Sequence, residues 1–253
     1  MTDWDKLKEE LDRWPEGKAT FWWRDDDATA PSPALSRLIA LGLQPLAIAA
    51  IPARVESALA EALNETRIDV LQHGYGHVNH EADGVKKAEL GAARPAEAVI
   101  EELSDGRRRM EALFGPRFLP VMVPPWNRIA DAVVARLPEA GFRGLSTYRA
   151  RPRNSSARLH RVNTHVDILD WRQGGRFLGR SAAMALVIAH LSARRGGDAD
   201  REEPTGLLTH HARMDEDAFG FAAGLLERLS SHPAVQWRAA RDIFPAGESL
   251  GPE

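Results

Sequence analysis

The sequence contains no cysteine. Disulfide cross-links and thiolate chemistry are therefore excluded. Long apolar runs are also missing. The longest, AAMALVIAHL (residues 182–191), is far below the roughly 20 residues a bilayer-spanning helix needs. The amino-terminal stretch MTDWDKLKEELDRWPEG is charged and patterned as a short amphipathic helix, without the apolar core of a signal peptide. A cytoplasmic, soluble protein without a membrane partner is the expectation. Neither sign of charge dominates: 27% of residues are charged, and the formal net charge is −3. No basic patch points to nucleic acid, and no acidic tail is present. Internal repeats and low-complexity tracts are absent.

What is present is a chain of 253 residues, 43% of them hydrophobic, enough for one sizeable domain or two small ones. Short apolar segments alternate with longer helical patterns. The strand candidates are ATFWW, PLAIAAI, RIDVLQ, FLPVMV, RGLST, HVDIL and TGLLTH. Between them lie the helix-like PALSRLIALG, RVESALAEALNE, PAEAVIEELSDGRRRMEALFG, IADAVVARLPEAG, SAAMALVIAHLSARR and AFGFAAGLLERLSSH. This alternation predicts parallel strands with helical crossovers, as a barrel or an open doubly wound sheet. RRGGDADREEPTG (194–206) and YRARPRNSSAR (148–158) read as exposed loops.

In such folds the working site lies at the carboxyl ends of the strands. The first strand is followed by Arg24, Asp25, Asp26 and Asp27, the third by HGYGHVNH (73–80), and the fourth by PPWNR (124–128). Asp167, Asp170 and Trp171 lie near the sixth, and His210 and His211 follow the seventh. His73, His77, His80, His210 and His211, out of nine histidines, thus gather at two strand ends. His160, His165, His190 and His232 read as isolated structural or surface residues.

His73 and His77 are four apart, which would put them on one helix face. The intervening Gly74 and Gly76 favour a tight loop instead, able to aim both imidazoles at one point. Two histidines and one carboxylate suit zinc or a related divalent ion and leave positions open for water and substrate. Asp27 could instead accept backbone N–H groups at a helix start, which would account for one aspartate but not three. Strand residues alternate faces, so Arg24 and Asp26 should share a side and pair, leaving Asp27 for a metal. Pro124 and Pro125 have no N–H, so the first donor of that rigid segment is the Trp126 backbone N–H, a candidate oxyanion donor. His210 suits a general acid, with Asp170, or else Asp167, as its orienting partner.

Together these residues resemble the polysaccharide deacetylase family, also called carbohydrate esterase family 4 or the NodB-homology superfamily. Arg24-Asp25-Asp26-Asp27 stands at the family's T-F-D-D. His73-Gly74-Tyr75-Gly76-His77 stands at H-S/T-x-x-H, without the hydroxyl residue. Val123-Pro124-Pro125-Trp126 stands at R-x-P-Y/F. Asp167, Asp170 and Trp171 match D-x-x-D-W in full, and Leu208-Thr209-His210 matches L-x-H. The five motifs occur in the family's order across residues 20–211. The resemblance implies a single catalytic domain over 1–253, with a distorted (β/α) barrel of about seven parallel strands. It implies a divalent metal, zinc first and cobalt or nickel as alternatives, on Asp27, His73 and His77. It further implies Asp26 as general base, His210 as general acid, the Trp126 N–H on the oxyanion, and Trp171 and Leu208 around the acyl methyl, with Tyr75 also placed at the substrate.

Three departures stand out. The third-motif arginine is replaced by Val123, so Arg24 is expected to take over its pairing with the base, with Arg128 in reserve. Ala28 and Thr29 stand where the family has glycine and proline, and His211 where it has aspartate. The expected activity is removal of an acetyl group from an N-acetylated sugar or related small amide. The alternatives are hydrolysis of small cyclic amides or ureides, and a non-catalytic carbohydrate-binding relative. The helices carry enough apolar surface for a homo-oligomer contact, without locating one.

Overall fold

The computed structural model describes residues 2–15, 17–42, 45–152 and 159–245. In chain order the elements are α1 (Asp3–Asp12), β1 (Ala19–Ala28), α2 (Pro33–Ala40), β2 (Leu46–Ala50), α3 (Ser57–Ala62), β3 (Asp69–His73), α4 (Ala96–Phe114), β4 (Phe118–Val123), α5 (Asp131–Val134), β5 (Gly144–Leu145), β6 (His160–Arg161), β7 (Val166–Asp167), β8 (Leu169–Asp170), β9 (Arg176–Phe177), α6 (Arg180–Gly196), β10 (Thr205–Thr209), α7 (Glu216–Ser231), β11 (Val235–Trp237) and α8 (Ala240–Ile243). The starts of α1, α2 and α7 follow from local chemistry. Thr2, Ser32 and Asp215 each accept a backbone N–H of the first turn through their side chains.

The strand order is β6-β5-β4-β3-β2-β1-β10-β7, and β11 pairs with the start of β1. All neighbours in this sheet are parallel. Among the described residues this sheet has nine strands, against about seven expected. The two ends of the path, β6 and β7, belong to one stretch of chain. Within it, the N–H groups of Val162 and Thr164 donate to Leu145 and Thr147, while that of His165 donates to Gly206 on the opposite side. This stretch carries the sheet round on itself and produces the distorted (β/α) barrel. The short β8 and β9 form a separate antiparallel pair.

Side-chain parity sorts β1 into two environments. Phe21 and Trp23 join the outer core beneath the helices, with Leu46, Ile48 and Val70. Trp22 faces inward with Ala47, Ala49, Leu71, Val121 and Val123. Both faces are buried, which is why the strand reads as an unbroken apolar run. At the amino end of the barrel, Phe244 meets Trp22 edge-on at 5.9 Å. Asp69 of β3 holds this terminal segment by accepting from the Arg241 backbone and guanidinium. Inward parity continues past Trp22 to Arg24 and Asp26, at the other end of the barrel.

One loop expectation needs correction. In 194–206, Arg194 and Glu203 are buried rather than exposed. Residues 153–158 of the other loop lie outside the described residues. Among the described residues, no helix is long and apolar enough to cross a membrane.

Candidate active site

β1 does not stop before the aspartates; it runs through them to Ala28. Its register with β2 shifts between Asp25↔Ile48 and Ala28↔Ala50. Asp26 and Asp27 therefore oppose one residue, Ala49, and form a bulge in which Asp27 has φ +72°. A bulge breaks the alternation of faces and re-aims a side chain. Here it frees Asp27 from parity with Asp25. Asp27 Oδ1 lies 3.1 Å from His73 Nε2 and 3.3 Å from His77 Nε2.

His73 ends β3, and its Nδ1–H donates to the Val123 carbonyl at 2.9 Å. A carbonyl only accepts, so the neutral ring has its lone pair on Nε2, aimed at Asp27. His77 sits at the end of a loop that passes through Gly74 at φ +56° and itself has φ +56°. The Trp126 ring packs on it with centroids 4.4 Å apart. Without a metal, burial opposes the charge on both Asp27 and His73, but a proton taken up on His73 Nε2 would donate to Asp27; that bond and charge raise the His73 pKa and, with the charges of His210 and His77, hold the Asp27 carboxyl well below the usual carboxylate range. Burial and then the charge of His73 push His77 down. A single proton would thus sit on His73 and leave His77 neutral. A carboxylate oxygen facing two imidazole lone pairs is repulsive unless a cation lies between them. Donors 2.0–2.1 Å from a tetrahedral ion sit roughly 3.3 Å apart, the spacing found here. With both rings neutral, Asp27 Oδ1 is also buried without a hydrogen-bond partner among the described residues. The three residues fit a divalent metal.

Arg24 and Asp26 point into the barrel, and neither is more than 1% exposed. The guanidinium grips the carboxylate in a fork, Nε to Oδ1 at 2.8 Å and Nη2 to Oδ2 at 2.9 Å. Its remaining donors reach the Ser146 carbonyl and hydroxyl and Asn127 Oδ1, at 3.1, 2.6 and 3.1 Å. All five N–H groups are used, so both partners are fixed. Arg128, the reserve candidate, donates instead to the Lys87 carbonyl. Ser146 and Asn127 were missed in the sequence; their positions, just after β5 and just after the double proline, were the available signal.

Asp25 faces outward and is fully buried. It accepts from the Thr209 hydroxyl at 2.7 Å, the His211 N–H at 2.9 Å and His211 Nδ1 at 2.5 Å. Burial lowers the His211 pKa, but the Asp25 carboxylate outweighs it and raises the value. His211, at the family's aspartate position, thus locks the end of β10 to β1.

Asp26, Asp27, His73, His77, Trp126, Asp167, Asp170, Trp171 and His210 line one cavity of about 580 Å³. Trp171 stands half-exposed over His210, ring centroids 4.7 Å apart and nearly perpendicular, and its Nε1–H donates to Asp167 at 2.7 Å. Three expectations are corrected. Asp170 makes no bond to His210; its oxygens accept from the Arg172 N–H and Gln173 Nε2, capping the turn that follows. Asp167 does not bond His210 either, and His210 Nδ1 is buried without a hydrogen-bond partner among the described residues. Leu208 and Tyr75 are absent from the cavity wall: Leu208 is fully buried beside Arg24 in the sheet, and Tyr75 packs on the cluster around Leu90 and Leu103. Leu169, Leu178 and Leu186 supply the apolar wall instead. A larger space of about 930 Å³ beside Leu46 and Ile68 gathers no ligand or acid–base set among the described residues.

A second group, His165, His190 and Glu203, is also close enough to suggest ligation. These two histidines are not isolated: their rings stack at 3.4 Å. The donor set does not fit a metal. The Gly206 N–H donates to His165 Nδ1 at 2.9 Å, so the neutral ring carries its proton on Nε2, facing Glu203 at 3.4 Å. Glu203 already accepts from the Arg151 and Asn163 backbones at 2.8 and 2.9 Å. The cluster knits the barrel-closing stretch to the start of β10.

No protein-family model matches the chain, and no curated relative does. Solved structures do. A Mycobacterium smegmatis protein assigned as a polysaccharide deacetylase is 16% identical, with 90% of each chain covered and a TM-score of 0.60. The peptidoglycan N-acetylglucosamine deacetylase Bc1960 is 14% identical, with 92% of each chain covered and a TM-score of 0.56. A family 4 acetyl xylan esterase from Clostridium thermocellum, solved with a cobalt ion, is 10% identical, with 89% of this chain and 90% of that one covered and a TM-score of 0.53. The chain has the fold of the polysaccharide deacetylases and family 4 carbohydrate esterases.

Proposed function

We propose that the chain is a metal-dependent hydrolase that removes an acetyl group from an N-acetylated sugar or a related small amide, using one catalytic domain. The observation that carries this reading is the sharing of one cavity by a metal-fitting triangle, Asp27–His73–His77, and an arginine-clamped carboxylate, Asp26. Zinc is the first candidate for the ion; cobalt and nickel also suit the donors. When bound, the ion supplies Lewis acidity, polarising the acyl carbonyl and lowering the pKa of a water molecule it holds.

The chain's own residues supply the rest. Arg24 occupies one lone pair on each oxygen of Asp26, leaving the others to take the proton of the attacking water. The Trp126 N–H donates to the oxyanion as it forms. His210 returns a proton to the leaving nitrogen, which departs poorly as an amide anion. Trp171 and the leucine wall enclose the acyl group and exclude water. Arg24 thereby replaces an arginine that would otherwise come from position 123.

The test is product analysis with zinc-loaded protein across N-acetylated sugars. Acetate release that stops on chelation is expected. Ammonia release from cyclic amides or ureides, without acetate, would replace this reading with the other hydrolytic one. No turnover of either class, with metal bound, would remove the enzyme reading.

A further inference from the structure

We infer that Glu89, which lies outside every motif, is the positioning residue of the metal-ligand loop; the inference rests on the reading of Asp27, His73 and His77 as ligands. Glu89 is 2% exposed. Its Oε1 accepts the Gly76 N–H at 2.7 Å and its Oε2 accepts the Tyr75 N–H at 3.2 Å. These are two of the three residues between His73 and His77. The third, Gly74, donates its N–H to Val123, whose carbonyl also orients His73. The carboxylate thus holds the inner face of the loop and fixes where His77 starts.

Gly74 explains how the carboxylate reaches this place. A Cβ at Gly74 would lie 2.0 Å from Glu89 Oε2 and 2.6 Å from the Pro125 ring. Position 74 is the one at which the resemblance calls for a hydroxyl residue. Any side chain there would displace Glu89, and its φ of +56° adds strain for a residue other than glycine. The glycine and the buried carboxylate are two halves of one device: the loop gives up its own side-chain donor and takes an acceptor from residue 89. Glu89 is itself held in place. The Ala88 carbonyl accepts from the His80 N–H, and the Leu90 carbonyl accepts from the Ala130 N–H.

Residues that orient metal ligands change affinity by about 10- to 100-fold when replaced. Zinc affinity of the metal-free full-length protein, measured by competition with a chromophoric chelator, therefore reads the inference without any substrate. Glu89→Gln keeps the volume but gives two N–H groups one oxygen; about 10-fold weaker zinc binding is expected. Glu89→Ala removes both acceptors, and about 100-fold is expected. In the cobalt-loaded protein both substitutions should shift the visible absorption bands, reporting altered ligand geometry. Unchanged zinc affinity and cobalt spectrum in Glu89→Ala would overturn the inference while leaving the metal site standing. Weakened binding found only together with a large fall in Tm in both variants would also overturn it, since Glu89 would then be a general folding residue. A wild-type protein that binds no zinc would instead remove the site reading itself, and the inference with it.

Discussion

Among the described residues, two clusters of two histidines and one carboxylate lie in this barrel: Asp27–His73–His77 at the carboxyl ends of the strands, and His165–His190–Glu203 beside the barrel-closing stretch. Residue types and closeness in space do not separate them; the group on the far ring nitrogen does. A carbonyl faces His73 Nδ1 and leaves Nε2 as a lone pair, whereas an N–H faces His165 Nδ1 and leaves the proton on Nε2. The first arrangement offers electrons to a cation and the second offers a proton to a carboxylate. The carboxylates differ in the same way. Among the described residues Asp27 Oδ1 is buried without a hydrogen-bond partner, while both Glu203 oxygens are occupied by backbone donors.

The comparison breaks most visibly through the ligands. His73→Ala and Asp27→Ala should each abolish stoichiometric zinc binding and reduce turnover to background, whereas His190→Ala should leave both intact. Equilibrium dialysis with metal analysis checks this, and retention of zinc by His73→Ala contradicts it. Next in size is Asp26→Asn, which should lower kcat by about 10²–10⁴-fold, the range for a lost general base, with zinc still bound. If zinc is lost instead, Asp26 is a ligand and the bulge has been assigned wrongly. Arg24→Ala should cost about 10²-fold in kcat through misplacement of Asp26. It should also lower stability by about 3–5 kcal/mol, because a buried carboxylate loses its partner. Urea unfolding and steady-state kinetics separate the two effects, and near-normal turnover would end the role given to Arg24.

The smallest effect concerns the second cluster. Burial first, and then the charge of His165, push His190 down to about 2; burial also lowers His165, against the opposing pull of Glu203. Both native values lie below the unfolded value near 6.5. The unfolded chain therefore takes up protons first as pH falls. Stability is full above about pH 6.5 and is lost below it, by about 1.4 kcal/mol per pH unit for each group that stays neutral. Between pH 7.5 and 5.5, unfolding free energy should fall by about 1 kcal/mol less in His190→Gln than in the wild type. Equal falls would show that His190 is not held neutral.

The alternation of apolar strands and helical patterns was legible because it follows from burial of a parallel sheet on both faces. So was the pairing of Arg24 with Asp26, which needs only strand parity. The bulge that turns Asp27 was not legible: it depends on the register of β1 against β2, a contact between segments. The short β6, β8, β9 and β11 have too few residues for a periodicity of their own. The helix expected over 129–141 shrinks to Asp131–Val134, consistent with Pro138 lacking the N–H a helix interior needs. The positions of Leu208 and Tyr75 depend on which wall of the barrel faces the cavity, and Asp170 was drawn away by a local turn. Glu89 carried no sequence signal apart from the glycine that makes room for it.

On the proposed function, Asp27–His73–His77 is a metal centre and His165–His190–Glu203 is held by hydrogen bonds without one. Calorimetric titration of zinc into metal-free wild-type, His73→Ala and His190→Ala proteins tests it most directly. One equivalent is predicted for the wild type, none for His73→Ala and one for His190→Ala. Two equivalents in the wild type, or binding that survives in His73→Ala and disappears in His190→Ala, would contradict it.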